Sequence, residues 1–155
     1  MTDRFEAHDY YMMDELLTEE QKLFRDSLRS WLKKEVSPII EDYYERADFP
    51  KQIIPGLGEY GCFGPYIPAE YGGPGLDQIT YGLLMQELER VDSGVRSTSS
   101  VQSSLVMYPI WKYGSEEQKQ RWLPKMVSGE MVGALAMTEP STGSDVQSIK
   151  TKAIR

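Results

Sequence analysis

Residues 18–36 read TEEQKLFRDSLRSWLKKEV, and this stretch decides the fold. Thr18-Glu19-Glu20-Gln21 is a capping box: the Thr oxygen accepts from a first-turn N–H, and the Gln21 side chain reaches back to the cap. Leu17 stands where it can staple onto Lys22 or Leu23. Leu23, Phe24, Leu28, Trp31, Leu32 and Val36 then recur at helical spacing and form one apolar face. A capped helix with such a stripe is built to pack on other helices. Pro38 interrupts the pattern, kinking the helix or starting a second one, because proline lacks an N–H and clashes with the preceding turn. Ile39, Ile40, Tyr43 and Tyr44 continue an apolar face to about Arg46.

The same signals recur towards the C-terminus. Pro50 suits the first turn of a short helix through about Tyr60. Residues 61–77 are rich in Gly and Pro and read as a wrapped, ordered connection or a substrate-side loop. Asp77 or its neighbourhood caps a helix that carries Tyr81, Leu84, Met85, Leu88 and Val91, ending at Asp92-Ser93-Gly94. A further helix is expected from about Val95 to Lys112. Its small residues, Ser97, Ser99, Ser100, Ser103 and Ser104, allow close approach of a neighbour or a ligand. Gly114 ends it. Ser115-Glu116-Glu117-Gln118 is a second capping box, opening a helix through about Val127; each cap is worth about 1 kcal/mol. β structure is expected from Leu135, continuing weakly from Val146 to Ile154. The expected organisation is a polar, frayed tail over 1–14, a helical domain over 15–130, and the first strands of a β-domain over 131–155. A strand pair alone is marginal, because its edges need partners. The expectation is therefore a chain cut inside a β-domain.

Composition excludes some functions. Lys and Arg total 17 against 24 Asp and Glu, a net charge of −7. That argues against nucleic acid as a partner, since phosphate binding needs a basic face. The single Cys62 cannot form an internal disulfide. The single His8 lies in the polar tail and reads as solvated. No apolar run approaches ~18 residues, so no transmembrane helix is expected. The N-terminal residues MTDRFE resemble neither a secretory signal nor an Arg-rich transit peptide. Cytoplasmic residence is the expectation, or the mitochondrial matrix if a transit peptide has been removed. There are no internal repeats. Glu15, Glu19, Glu20, Glu35, Glu41 and Asp42 read as a solvated face, and no paired carboxylates suit general acid–base work.

Two motifs carry chemistry. Residues 137–145, MTEPSTGSD, follow an apolar run from Met131 and break into hydroxyls, a Pro and a Gly. Thr138, Ser141, Thr142 and Ser144 offer rotatable donors and acceptors, and Gly143 lets a ligand approach the backbone. Read alone, this is a hydroxyl-rich turn after a strand. In its full order it resembles the flavin-contacting signature of the acyl-CoA dehydrogenases. Upstream, ELERVDSGVRS (87–97), SVQSSLVM (100–107), YGSEEQK (113–119) and WLPK (122–125) keep the order and spacing of one branch, the glutaryl-CoA dehydrogenases. The resemblance covers residues 15–155, about the first two-fifths of that family's length.

The resemblance implies the N-terminal helical bundle of an acyl-CoA dehydrogenase fold, FAD as cofactor, and α,β-dehydrogenation of an acyl-CoA thioester. It also implies a homotetramer and electron transfer to an electron-transfer flavoprotein. It places Leu135 and Met137 alongside the flavin ring and the thioester, and Thr138 on the flavin's pyrimidine edge. Gly143 and Ser144 fall where the pyrophosphate and the CoA arm pass. Arg96, with Glu89 and Ser97, would read the distal carboxylate of glutaryl-CoA, because a buried carboxylate needs a cation with forked donors. Arg96 stands at a helix start, where a cation is electrostatically disfavoured. Val95 departs from the pattern, which has an aromatic there, and this bears on chain length. Glu139 is read as structural. No catalytic residue and no metal ligand is assigned within the chain; the family's base lies beyond residue 155. Two other readings stay open: a generic acyl-CoA dehydrogenase for an uncharged acyl chain, and a non-enzymatic helical module that acts by association.

Overall fold

The computed structural model describes residues 8–154. Its α-helices are α1 (Glu19–Trp31), α2 (Ile40–Glu45), α3 (Ile54–Glu59), α4 (Gln78–Val91), α5 (Ser93–Ser100), α6 (Tyr108–Tyr113) and α7 (Glu116–Val127). Both capping boxes form. Thr18 Oγ1 accepts from Gln21 N at 3.2 Å while Gln21 Oε1 accepts from Thr18 N at 3.0 Å. Ser115 and Gln118 repeat the exchange at 3.3 and 2.9 Å. Asp77 caps α4 by accepting from Thr80 N at 2.7 Å, and its other oxygen accepts from Gln21 Nε2 at 2.9 Å. The start of α1 is thus tied to the start of α4.

Two five-turn (i to i+5) segments break the α pattern, Leu32–Val36 and Val101–Met107. Each ends two residues before a proline, Pro38 and Pro109. A proline cannot donate to the preceding turn and its ring crowds the carbonyl four residues back; widening the turn before it relieves both. The second segment joins α5 to α6, so the helix expected over 95–112 runs without a break from Ser93 to Tyr113. The hinge with α4 is Asp92 alone, in extended backbone, whose carboxylate caps α5 by accepting from Val95 N at 2.9 Å.

The core gathers Leu28, Leu32 and Val36 from the first helical stretch with Leu84 and Leu88 of α4, Met107, and Leu123 of α7. The loop after α3 enters that core through Cys62, Phe63 and Ile67, all fully buried. Ser99 and Ser103 admit it: both donate to Cys62 O, and Ser103 Oγ accepts from Gly64 N at 2.8 Å. Gly64 has φ +59°, and a Cβ there would meet Met107 at 2.5 Å. The small residues of the Ser-rich helix therefore serve, at these two positions, to seat a neighbouring loop. Glu87, 1 % exposed, is gripped by Arg29 through Nε at 2.8 Å and Nη2 at 2.7 Å. This paired, buried charge joins α1 to α4, and breaking such a pair costs about 3–5 kcal/mol.

Two expectations change. The described part of the polar tail is held rather than frayed: Asp9 accepts from Met13 N and Asp14 N, both at 2.9 Å, and Asp14 pairs with Arg25. Residues 1–7 of that tail lie outside the described residues. The fold is mostly α as expected, but the strands expected from Leu135 and over 146–154 do not form among the described residues. The one β-bridge joins Glu139 to Thr142 across a tight turn, and Val146–Ser148 is a short 3-10 turn. A strand exists only in a ladder, and residues 134–138 have no backbone–backbone hydrogen bond here.

Candidate functional site

The residues expected to read a carboxylate sit where α4 hands over to α5. Glu89, in the last turn of α4, and Arg96, in α5, meet as an ion pair: Glu89 Oε2 accepts from Arg96 Nε at 2.7 Å. Arg96 Nη1 also donates to Ser100 Oγ at 3.3 Å. A guanidinium carries five N–H donors in a rigid fork; the remainder have no partner among the described residues. The cluster is open to solvent, with the Arg96 side chain 37 % and the Glu89 side chain 48 % exposed. Glu89's other oxygen accepts from Ser93 Oγ at 2.6 Å. These two donors, Ser93 first and then Arg96, hold the Glu89 carboxyl below its usual range. Ser97 joins through its carbonyl, which accepts from Ser100 Oγ at 3.1 Å. Val95 is fully buried in the core and does not line the cluster.

Sequence reasoning named Glu89, Arg96, Ser97 and Ser144 as the substrate set but left Ser93 and Ser100 out of it. Both were within reach of a spacing argument. Ser93 lies four residues after Glu89, and Ser100 four after Arg96, the separation at which helical side chains meet. The one-residue hinge at Asp92 hid the first pair, because it places Glu89 and Ser93 on different helices.

The other candidate residues lie on the segment leaving α7. Gln102, fully buried in the widened turn after α5, fixes its start. Gln102 Nε2 donates to Met126 O at 3.0 Å and Met131 O at 2.8 Å, and Oε1 accepts from Gly133 N at 2.8 Å. A Cβ on Gly133 would fall 2.5 Å from Val106, so the segment lies directly on this helix. Beyond it, Leu135 and Met137 are about half exposed, at 50 % and 48 %, and Thr138 is exposed. They present an uncovered apolar edge with hydroxyls at its end.

The turn that follows is tightly made. Glu139 and Thr142 exchange backbone hydrogen bonds at 2.9 and 3.0 Å. The Glu139 carboxylate accepts from Thr151 Oγ1 at 2.6 Å, Thr151 N at 2.8 Å and Lys150 N at 3.0 Å. These bonds, the Thr151 hydroxyl foremost, hold its carboxyl below the usual range. Glu139 is thus a fastening. Gly143 and Ser144 are exposed at the turn's edge, and a Cβ on Gly143 would meet nothing within 4 Å. Ser144 makes no hydrogen bond with Glu89, Arg96 or Ser97 among the described residues. Among the described residues no three His, Cys, Asp or Glu gather as metal ligands, and no helix is long and apolar enough to cross a membrane.

The helical domain matches a known class. Residues 18–130 match the family described as acyl-CoA dehydrogenase, N-terminal domain. The chain belongs to the acyl-CoA dehydrogenase family. An acyl-CoA dehydrogenase of Bacillus subtilis (strain 168) is 38% identical over 139 residues, covering 90% of this chain and 37% of that protein. The mitochondrial isovaleryl-CoA dehydrogenase of Bos taurus is 38% identical over 139 residues, covering 88% of this chain and 33% of that protein. The solved structure of a glutaryl-CoA dehydrogenase from Mycobacterium smegmatis in complex with FADH2 superposes with a TM-score of 0.86 at 36% identity, covering 91% of this chain and 36% of that one. The chain therefore spans about a third of the length of the relatives it matches.

Proposed function

We propose that this chain forms the helical part, and the first flavin-contacting turn, of an FAD-dependent acyl-CoA dehydrogenase acting on a dicarboxylic acyl-CoA of the glutaryl type. In this organisation residues 1–14 are a leading tail, 15–130 the helical domain, and 131–155 the start of a β-domain whose further strands would pair with the unladdered segment. The observation that carries the substrate reading is the posture of Arg96. Glu89 takes its Nε and Ser100 one Nη, leaving guanidinium donors for a second carboxylate. Such an end-on fork fits the distal carboxylate of a glutaryl chain.

The residues present fit FAD. Leu135 and Met137 offer uncovered apolar surface for a ring system, Thr138 an exposed hydroxyl for a polar edge, and Gly143 open space where a pyrophosphate passes. Bound FAD would supply the hydride acceptor. The chain's own residues orient the acyl group: Arg96, held by Glu89, and Ser97 take its far end, and Ser144 stands beside the CoA arm. Leu135 and Met137 keep water from the reacting carbons. The base that removes the α-proton belongs to the part of the family's length that this chain does not span. The 155 residues alone are therefore expected to be inactive. In the whole enzyme we place an electron-transfer flavoprotein as acceptor and a homotetramer as the assembly. The location is cytoplasmic, or the mitochondrial matrix after removal of a transit peptide.

A second reading is a neutral acyl chain. It is favoured by the neutralisation of Arg96 by Glu89 and by the identity to an isovaleryl-CoA dehydrogenase. The two separate on kcat/KM for glutaryl-CoA and for a neutral acyl-CoA of similar length, measured on the full-length flavoprotein with Arg96, Arg96→Ala and Arg96→Lys. Removing the partner of a desolvated carboxylate costs roughly 3–5 kcal/mol, about a hundredfold or more in kcat/KM. The dicarboxylic reading expects that loss on glutaryl-CoA only, with partial recovery in Arg96→Lys. Equal losses on both substrates would replace it with the neutral one.

A further inference from the structure

We infer that Ser93 is a positioning residue for carboxylate recognition: its hydroxyl holds Glu89 so that Glu89 takes Arg96 by Nε alone and leaves the far end of the guanidinium to the substrate. This rests on the reading of Arg96 given above. Ser93 Oγ donates to Glu89 Oε1 at 2.6 Å while Oε2 takes Arg96 Nε at 2.7 Å, so the carboxylate is held from two sides. Relieved of Ser93, a half-exposed Glu89 could swing its second oxygen onto a terminal guanidinium nitrogen. It would then hold the fork side-on and compete with any incoming carboxylate.

Ser93 does not cap α5. It is the first residue of α5, and the cap of that helix is Asp92, whose carboxylate takes Val95 N. The Ser93 hydroxyl is therefore spent on Glu89 rather than on the helix end. The bond also spans the hinge at Asp92, so it fixes the last turn of α4 relative to α5 at the point where the substrate's far end would dock. Ser100 completes the arrangement from the other side by accepting from Arg96 Nη1. Arg96 is thus braced by two partners, with no further hydrogen bond or ion pair from its guanidinium among the described residues.

The test uses Ser93→Ala, Ser93→Thr, Glu89→Gln and the double variant Ser93→Ala/Glu89→Gln in the full-length flavoprotein. Alanine and threonine are both compatible with a first helical position, so the variants probe the hydroxyl and not the helix. Losing one charge-assisted hydrogen bond at an open site is expected to raise KM for glutaryl-CoA roughly three- to tenfold with kcat little moved. Ser93→Thr should restore most of this. In the Glu89→Gln background Ser93→Ala should add less than about twofold, because its effect passes through Glu89. An equal KM effect in both backgrounds, or a loss of kcat with KM unchanged, overturns the inference. Carbon NMR titration of the Glu89 carboxyl in the 155-residue chain gives a substrate-independent arm. Ser93→Ala should move the midpoint up towards that of an ordinary glutamate, and an unmoved midpoint overturns the positioning role. If the midpoint moves but Arg96→Ala treats charged and neutral substrates alike, the dicarboxylic reading fails instead, and the role in substrate recognition falls with it.

Discussion

Gln102→Leu is the sharpest test of how this domain positions its last segment. The change keeps nearly the same volume in a fully buried place, so little cavity or overpacking follows. It removes three hydrogen bonds, to Met126 O, Met131 O and Gly133 N. Each buried polar group left without a partner costs about 1–3 kcal/mol. Met131 and Gly133 are partly exposed and can recruit water, so the low end applies to them; Met126 is 6 % exposed and cannot do so easily. The sum is about 3 kcal/mol, or a Tm lower by roughly 6–12 °C for a domain of this size. The assay is urea unfolding of the 155-residue chain, with ΔG and m fitted separately. Gln102→Glu should be worse than Gln102→Leu, since it turns a carboxylate oxygen towards two carbonyls. A loss under about 1 kcal/mol for Gln102→Leu, with m unchanged, would refute the claim that this amide anchors residues 131–133.

Gly73→Ala should destabilise by about 1–3 kcal/mol, because its Cβ would lie 2.0 Å from the Ile67 carbonyl oxygen, which is backbone and cannot step aside; chemical denaturation reads this directly. Gly143→Ala should leave stability within about 0.5 kcal/mol, since its Cβ meets nothing within 4 Å, yet weaken flavin binding in the full-length protein. Undiminished affinity, measured by flavin fluorescence quenching, would remove Gly143 from the cofactor set. Four carboxyls sit below their usual values in the fold: Asp9 (usual 3.8) through the backbone N–H of Asp14 foremost, Asp77 (usual 3.8) through Thr80 foremost, Glu89 (usual 4.5) through Ser93, and Glu139 (usual 4.5) through Thr151. Their stabilisation is full above those usual values and is lost as pH falls through the lowered folded ones. Stability should therefore decline as pH drops below 4.5, and Glu139→Gln should make the decline shallower; an unchanged slope would show that Glu139 carries none of it.

Local chemistry made much of this fold legible. Thr18, Asp77 and Ser115 each announce a helix by a side chain that satisfies nearby N–H groups, and such caps depend on a few adjacent residues. What escaped was set by partners distant in sequence. Glu87 looks like any helical surface glutamate until Arg29, on another helix, closes on it. The Ser-rich helix advertised room for something close, but only the fold shows that Ser99 and Ser103 admit the loop through Cys62 and Gly64. The widened turns before Pro38 and Pro109 are a backbone compromise that apolar spacing does not report. The strand expected at Leu135 failed to form because an apolar run supplies only a candidate, while pairing requires a neighbour. In the candidate site, Arg96 was legible as a forked cation at a helix start, while Glu89 entered only through the resemblance to the glutaryl-CoA dehydrogenases. Ser93 and Ser100 were reachable only by counting four residues on from Glu89 and Arg96, and the break at Asp92 masked the first of these pairs.

The central claim, a flavin-dependent enzyme whose Arg96 reads a distal carboxylate, is tested most directly by anaerobic reduction of the full-length flavoprotein. Glutaryl-CoA, butyryl-CoA and isovaleryl-CoA would be added separately, and the bleaching of the oxidised flavin band followed in time. The account predicts that glutaryl-CoA bleaches the band fastest and at the lowest concentration, and that this preference vanishes in Arg96→Ala. Rapid bleaching by butyryl-CoA or isovaleryl-CoA with glutaryl-CoA inert would contradict it.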